Sequence, residues 1–423
     1  MITVRYFYSA CVSIDTPDVR ILCDPWFTEG AYDGSWYQYP RLAAPLEVIG
    51  ACDWIYISHL HPDHYDPTFV RAYLGRYPAA RVLIAPFRDP ALSRTMTSDG
   101  IPHQIVEGVL QAGHTTLRCF PNDGPPPRNI DSAVAVRHGG HAVVNMNDNL
   151  WNARQVAAIR AWCAPEVTIA LLGYTGAGPY PQTYYNVYRE ADLVRAEALA
   201  KKQEGFRRYT EMATALHARL RIPFAGQYVL GGARWRLNPF RGLADATEVL
   251  GFDPRAVVLA DGGTGAVDTE TLQPTATRTV PYGDAAIQDY ARSTAANPMR
   301  YTRYFSGLPL AAIPWGRLLP AAAIHARARS RCTTPHWFCV RLPDQEWFAM
   351  SVLEPRARFT RDVADLVPRS EITIDPHYLF GLVTGVFLWN HAEVGSQYVT
   401  RRIGEGFRPE VQGFLHHFRV GAA

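Results

Sequence analysis

The stretch Trp54-Ile55-Tyr56-Ile57-Ser58-His59-Leu60-His61-Pro62-Asp63-His64 decides the fold of this chain. Residues 54–58 are mostly aromatic or β-branched, which is typical of a buried strand. Pro62 cannot join regular strand pairing, so the strand is expected to end where His59 begins. Three imidazoles and one carboxylate therefore follow the end of one strand within six residues.

These four side chains predict a metal site. Imidazole and carboxylate bind divalent zinc, iron and manganese, and four ligands so close together can serve two ions. A polar loop with chance histidines is the alternative interpretation. It is disfavoured because 3 of the 14 histidines of the chain fall within these six residues.

The composition excludes several other classes of protein. A chain of 423 residues with 48% hydrophobic and 19% charged residues is typical of a folded protein of two or three domains. A net charge of +3 without a Lys/Arg run does not indicate nucleic-acid binding. No apolar run reaches the roughly 20 residues of a membrane helix. The 7 scattered cysteines and the lack of signal-peptide features favour reduced thiols and a cytoplasmic location.

Two further aspartates follow predicted strands. Asp24 ends the strand over residues 19–24, where its carboxylate can accept a hydrogen bond from a ligating imidazole. Asp148 follows a predicted hairpin of residues 131–136 and 142–146, joined through Gly139-Gly140. For both residues the alternative is an ordinary turn aspartate, which for Asp148 would precede a helix cap.

The pattern His-x-His-x-Asp-His after a hydrophobic strand resembles the metallo-β-lactamase superfamily. The resemblance implies an α/β fold, an αββα sandwich over residues 1–262, with the metal site at the edge where the two sheets meet. Beyond about residue 263 the sequence contains no further cluster of residue types that bind metals. We expect residues 263–423 to form a smaller mixed α+β domain that covers the substrate or serves oligomerisation, in the latter case as a homodimer.

The resemblance also implies a role for each ligand. His59 and His61 would hold the first metal, Asp63 and His64 the second, and Asp148 would bridge them. No catalytic residue beyond the ligands is expected.

One ligand of the first metal is left open by the sequence. The superfamily usually supplies a further histidine just after a strand. His114 precedes the predicted strand 116–120 rather than following it, whereas Asp123 lies at its far end. We therefore predict Asp123 as the ligand, with His114 as the alternative.

Several secondary motifs resemble one branch of the superfamily. Asp24-Pro25-Trp26, Asn147-Asp148 and the segment 174–181 are similar to the CMP-N-acetylneuraminate hydroxylase relatives, with the ascorbate-6-phosphate lactonase group as a more distant cousin. The Rieske centre of that hydroxylase needs Cys-x-His and Cys-x-x-His motifs, and this sequence has neither. Any redox chemistry would therefore need an external electron donor.

A set of three histidines and three aspartates favours iron over zinc. Three carboxylates offset most of the charge of two ferrous ions and suit higher oxidation states, and the superfamily includes diiron hydroxylases of natural-product pathways with such ligand changes. We therefore predict a non-haem diiron monooxygenase that uses O2 to hydroxylate a small, natural-product-like molecule. A dizinc hydrolase of an ester, lactone or amide is the first alternative. A non-catalytic metal-binding scaffold is the second.

Aromatic residues near the predicted site suggest a large apolar substrate pocket with rigid walls. The glycine-rich segment 173–181 would let the backbone approach a ligand closely. The predicted substrate-binding residues are Trp26, Trp36, Trp151, Tyr174, Tyr180 and Tyr184.

Overall fold

The computed structural model describes residues 1–124 and 128–421. Two β-sheets face each other in its N-terminal part. The first sheet consists of β1 (Thr3–Tyr8), β2 (Cys11–Asp15), β3 (Arg20–Cys23), β5 (Trp54–Ile57), β6 (Arg81–Ile84), β7 (His103–Ile105) and β15 (Ala266–Asp268), in the order β15-β1-β2-β3-β5-β6-β7. The second consists of β8 (Val109–Ala112), β9 (Thr115–Pro121), β10 (Ser132–His138), β11 (His141–Asn145), β12 (Ile169–Gly173) and β13 (Leu220–Phe224), in the order β13-β12-β11-β10-β9-β8.

Side chains alternate between the two faces along each strand, and both faces of each sheet are apolar and buried. In β5, Trp54 and Tyr56 join the core between the sheets, whereas Ile55 and Ile57 join the core beneath the first helices. The two sheets are thus each buried on both sides.

Helices cover the outer faces of both sheets. The first sheet carries α3 (Pro67–Arg76) and α4 (Ala91–Ser98), and the second carries α5 (Ala153–Cys163) and α6 (Ala191–Leu216). Asp66 accepts a hydrogen bond from the backbone N–H of Phe69 and so caps α3 directly after the histidine motif. The layer order is helix, sheet, sheet, helix, which confirms the αββα sandwich.

Short elements connect these layers near one edge. They are α1 (Ala31–Gly34), α2 (Pro45–Ile49), the two-stranded sheet of β4 (Trp36–Tyr37) and β14 (Val229–Leu230), and the 3₁₀ turns Arg128–Ile130, Gly232–Phe240 and Ala246–Gly251. The turn α1 contains two residues with left-handed backbone, Tyr32 with φ 53° and Asp33 with φ 62°.

The C-terminal part contains a third large sheet with its own core. Its strands are β16 (Trp337–Arg341), β17 (Trp347–Ser351), β18 (Ala357–Thr360), β19 (Arg369–Ile374) and β20 (Tyr398–Ile403), in the order β18-β17-β16-β19-β20. Its helical segments are α7 (Asp284–Ser293), α8 (Arg300–Tyr304), α9 (Trp315–Arg329), α10 (Pro376–Val383), α11 (Trp389–Val394), α12 (Pro409–Gln412) and the 3₁₀ turns Leu310–Ala312 and Gly413–His417. The additional C-terminal α+β region is therefore present.

The domain boundary predicted at residue 262 stays a prediction. The strand β15 lies just beyond it and pairs with β1 at the edge of the first sheet, with Val4 opposite Val267. Within the described ranges, none of the helices has the length and apolarity to cross a bilayer.

The layered core makes a direct prediction for stability. Leu171 of β12 is fully buried between the sheets. We expect Leu171→Ala to lower the free energy of unfolding by about 2–5 kcal/mol, because it removes buried methyl groups and leaves a cavity. Leu199, which is 59% exposed on α6, provides the control. Leu199→Ala should change stability by less than about 0.5 kcal/mol in the same denaturant titration. Equal effects of the two substitutions would contradict the described layering.

Candidate metal centre

The histidine motif lies at the end of β5, where the two sheets meet. His59 and His64 are each 1% exposed. Nε2 of His59 lies 2.8 Å from Nδ1 of His61, so the two nitrogens face a common point. Nε2 of His64 lies 3.3 Å from Oδ2 of Asp148 and 3.5 Å from Oδ2 of Asp63. The structure thus brings together five of the six predicted ligands.

The charges of this cluster fit a bound cation. One ligand atom each from His59, His64 and Asp148 lies within 4.8 Å of the others. Burial and the neighbouring His64 and His61 lower the pKa of His59 well below its usual value, which leaves the imidazole in its neutral, metal-binding form. The donor types are those of a site for two divalent transition-metal ions.

Asp24 orients the imidazole of His64 through the ring nitrogen opposite the one that faces the other aspartates. Its Oδ1 accepts a hydrogen bond from the backbone N–H of Ser58 at 2.8 Å, and its Oδ2 lies 3.0 Å from Nδ1 of His64. This contact turns Nε2 of His64 toward the two aspartates. The prediction that Asp24 accepts a hydrogen bond from a ligating imidazole is confirmed.

The structure brings Asp131, and not Asp123, to the first-metal histidines. Oδ1 of Asp131 lies 3.5 Å from Nδ1 of His59. Asp131 also lines the cavity that contains His59, His61 and Asp148. Burial and the charge of Asp148 raise the pKa of Asp131 well above its usual value.

Asp123 and His114 make their contacts elsewhere. Asp123 accepts a hydrogen bond from Asn152 at 2.9 Å, forms an ion pair with Arg154 and lines a different cleft. His114 is exposed in the turn before β9, at the opposite end of that strand, where its backbone N–H donates to Asp18. Neither Asp123 nor its alternative His114 therefore lies beside His59, where the structure places Asp131 instead, and the identity of this ligand stays a prediction.

Antiparallel pairing explains this placement of Asp131. The backbone N–H of Asn122, just after β9, donates to the carbonyl of Asp131, just before β10, at 2.8 Å. The start of β10 therefore lies at the same edge as the end of β9. Asp131, which precedes β10, therefore occupies the position expected of a residue that follows β9.

Two cavities meet at Asp148, whose side chain is 30% exposed. One, of about 250 Å³, is lined by His59, His61, Asp63 and Trp36. The other, of about 530 Å³, is lined by Trp151, Tyr180 and the glycine-rich segment 173–178. Asp148 lines both, so the larger cleft and the cavity of the histidines share this carboxylate.

The other three predicted substrate residues do not line either of these two cavities. Trp26 and Tyr184 are 2% and 4% exposed within a cluster of aromatic rings, and Tyr174 is 2% exposed in the core under α6. The hydroxyl of Tyr184 donates to Glu393 at 3.2 Å. Tyr174 lines a separate cleft of about 820 Å³. Residue type alone does not tell which cavity a ring lines, and a substrate role for these three residues stays a prediction.

Other parts of the chain contribute residues to the site that were not among the predicted site residues. Tyr32 of α1 donates a hydrogen bond from its hydroxyl to Oδ1 of Asp63 at 2.6 Å. Asn390 and Val394 of α11 line the metal cavity from the C-terminal part. Their approach depends on contacts between residues more than 300 positions apart, which no local pattern encodes.

The contact between Asp24 and His64 makes a prediction for metal affinity. Asp24→Asn should weaken metal binding by roughly 10- to 100-fold, because the amide orients the imidazole less strongly and does not support its basicity. Asp253 is a matched control, since it is another buried aspartate, hydrogen-bonded to Tyr209 and paired with Arg221. Asp253→Asn should leave metal affinity unchanged in competition titrations with a chelator. Parent-like metal affinity in Asp24→Asn would contradict the role assigned to Asp24.

Comparisons with known proteins agree with this fold and centre. A Mycobacterium tuberculosis protein named as a Rieske 2Fe-2S iron–sulfur protein is 32% identical over 227 residues, 50% of this chain and 41% of that protein. The cytidine monophosphate-N-acetylneuraminic acid hydroxylase of Macaca mulatta is 24% identical over 240 residues, 54% of this chain and 38% of the hydroxylase. The chain thus matches only about two fifths of the length of these relatives.

Solved structures show more remote likenesses. Igni18, a metallo hydrolase of Ignicoccus hospitalis, is 16% identical with a TM-score of 0.40, covering 62% of this chain and 96% of that protein. CmlA, a diiron β-hydroxylase of Streptomyces venezuelae, is 18% identical with a TM-score of 0.37, covering 58% of this chain and 47% of that protein.

The family comparison concerns the part of the chain that contains the histidine motif and Asp148. Residues 3–154 match the family described as the beta-lactamase superfamily domain. The same residues contribute most strands of the two facing sheets and the whole metal cluster. The N-terminal part of this chain therefore resembles the metallo-β-lactamase superfamily over the residues that contain the metal cluster.

Proposed function

We propose that this chain is a non-haem diiron monooxygenase that hydroxylates a small, natural-product-like organic molecule. The observation that carries the proposal is the balance of nitrogen and oxygen donors around one buried point. The donors are His59, His61, His64, Asp63, Asp131 and Asp148.

The third carboxylate is what favours iron. Three carboxylates neutralise three of the four positive charges of two ferrous ions, and hard oxygen donors stabilise higher oxidation states. A zinc hydrolase benefits from the opposite, since fewer anionic ligands leave a more electrophilic metal and a more acidic bound water. Asp131, beside His59 in the buried cavity, supports the oxygenase.

The geometry suggests how the ligands are divided. His59, His61 and Asp131 lie together and would hold the first ion, whereas Asp63 and His64 would hold the second. Asp148, which lies 3.3 Å from His64 and lines the shared cavity, would bridge the two. Two bound iron ions would supply the reduction of O2, with one oxygen atom inserted into a C–H bond of the substrate and the other released as water.

The residues of the chain would bind and orient the reactants. The cleft lined by Trp151 and Tyr180 offers rigid aromatic walls for an apolar substrate and opens toward the cluster at Asp148. The wall formed by Trp36, Asn390 and Val394 restricts water around the buried histidines.

The relatives support the same chemistry. One is a hydroxylase by name and another is named for an iron–sulfur centre. Hydroxylation with O2 consumes two electrons and two protons for each turnover. All 7 cysteines of this chain are free thiols, and 6 of them are buried. We therefore propose that a separate protein or small-molecule donor supplies the electrons.

Metal analysis provides the decisive test of this function. We expect about two iron ions per chain after expression with iron, together with O2-dependent loss of a reductant when substrate is present. The control is the same protein loaded with zinc, which should not consume O2. Two zinc ions per chain combined with hydrolysis of an ester or lactone without O2 would establish the dizinc hydrolase instead.

The assignment of Asp131 has its own test. Asp131→Ala should lose about one metal ion per chain, because it removes the carboxylate beside His59. Asp123→Ala removes a carboxylate of the same size and should retain both ions, because that side chain contacts Asn152 and Arg154. Metal content by elemental analysis distinguishes them. Loss of metal in Asp123→Ala with retention in Asp131→Ala would restore the sequence-based assignment.

A further inference from the structure

The turn that contains Tyr32 has an unusual backbone. Tyr32 and Asp33 are consecutive non-glycine residues with φ 53° and φ 62°. Side chains with a Cβ rarely adopt this left-handed region, and they stay there only where the surroundings fix them. Both residues are buried, with 3% and 4% exposure. The surrounding contacts therefore determine whether the turn keeps this conformation.

Hydrogen bonds from the C-terminal part hold both residues. The hydroxyl of Tyr378 in α10 donates to Oδ2 of Asp33 at 2.7 Å. Nε2 of Gln397 donates to the carbonyl oxygen of Tyr32 at 2.8 Å. Tyr378 and Gln397 are fully buried, so neither bond competes with bulk water. The left-handed turn is thus fixed by residues more than 340 positions further along the chain.

Two glycines allow the backbones to approach. A Cβ on Gly395 would lie 2.7 Å from the carbonyl oxygen of Tyr32, closer than real Cβ atoms come. A Cβ on Gly34 would lie 3.0 Å from Cα of Met299. The turn is therefore enclosed by C-terminal backbone on two sides.

This turn also contacts a predicted metal ligand. Tyr32 donates its hydroxyl hydrogen to Oδ1 of Asp63, while Oδ2 of the same carboxylate lies 3.5 Å from Nε2 of His64. The hydrogen bond thus engages one carboxylate oxygen and leaves the other directed toward the cluster. A displaced Tyr32 would free the carboxylate to rotate.

We propose that the C-terminal part acts as a clamp on the turn at Tyr32, and that Tyr32 is a positioning residue which sets the affinity of the second metal through Asp63. The clamp consists of Tyr378, Gln397 and Gly395. The proposal rests on the proposed function in one respect, namely that Asp63 binds a metal ion. It does not depend on which reaction follows.

The test measures metal affinity rather than turnover. Metal-free full-length protein is titrated with Co²⁺ in competition with a chelator, and the visible absorption of bound cobalt is recorded. The parent should bind two ions. Tyr32→Phe and Tyr378→Phe should weaken the second ion by roughly 10- to 100-fold, which is the usual effect of losing a partner that orients a ligand, while the first ion is retained.

A matched control separates positioning from general stability. Tyr209 in α6 donates its hydroxyl hydrogen to buried Asp253 at 2.8 Å, the same kind of bond in a different core. Tyr209→Phe should lower the melting temperature and leave both cobalt affinities at parent values. Where Tyr378→Phe does not fold, Gln397→Met removes the other clamp bond at similar volume and should show the same selective loss.

Several other outcomes would contradict the clamp. Parent-like binding of both ions by Tyr378→Phe and Gln397→Met overturns it, even if Tyr32→Phe weakens the second ion. Equal weakening of both ions in Tyr378→Phe and Tyr209→Phe also overturns it, because general destabilisation then explains the effect. A parent chain that binds no cobalt overturns both the clamp and the proposed function, whereas two bound ions without O2 consumption affect only the latter.

Discussion

The burial of like charges at one edge of the sandwich is the constraint on which the rest of this structure depends. Asp63, Asp131 and Asp148 lie around His59 and His64 in a space lined by protein. An ionised carboxylate is costly to bury unless it is paired or binds a metal. Burial alone would lower the pKa of His64, but Asp148 and Asp63 raise it well above its usual value. The charged forms of this imidazole and of the two carboxylates therefore favour one another.

The surrounding fold meets this constraint with fixed hydrogen bonds. Asp24 holds Ser58 and His64 from one side, and Tyr32 holds Asp63 from the other. Asp24 itself has a left-handed backbone with φ 42°, as do Tyr32 and Asp33. Such residues cost on the order of 1 kcal/mol each. Concentrated left-handed backbone beside the cluster indicates that the geometry of the ligands, rather than local stability, determines the sequence there.

What the sequence could predict is local. The strand before His59, the four donors within six residues and the hairpin before Asp148 all follow from patterns in contiguous stretches of sequence. The αββα layers were predicted from the resemblance of the histidine motif to a known superfamily. Asp131 was missed because its position depends on antiparallel pairing with Asn122 across a nine-residue separation. Trp36 lines the cavity, whereas the neighbouring Trp26 fills the core beside it. This difference depends on how the two rings pack against each other, which no sequence pattern encodes.

The same constraint explains why the C-terminal part contacts the loops at the metal-binding edge. A cluster of buried charge tolerates little displacement, because electrostatic energies in a medium of low dielectric constant change steeply with distance. Loops alone hold such positions loosely, whereas a second core adjacent to the loop fixes it through many contacts. The aromatic cluster that joins Trp36 and Tyr32 to Val394 provides this adjacency, and the indole N–H of Trp36 donates to the carbonyl of Val394 at 3.1 Å. A metal-binding edge that depends on residues so distant in sequence requires both parts of the chain to fold before the ligands are in place.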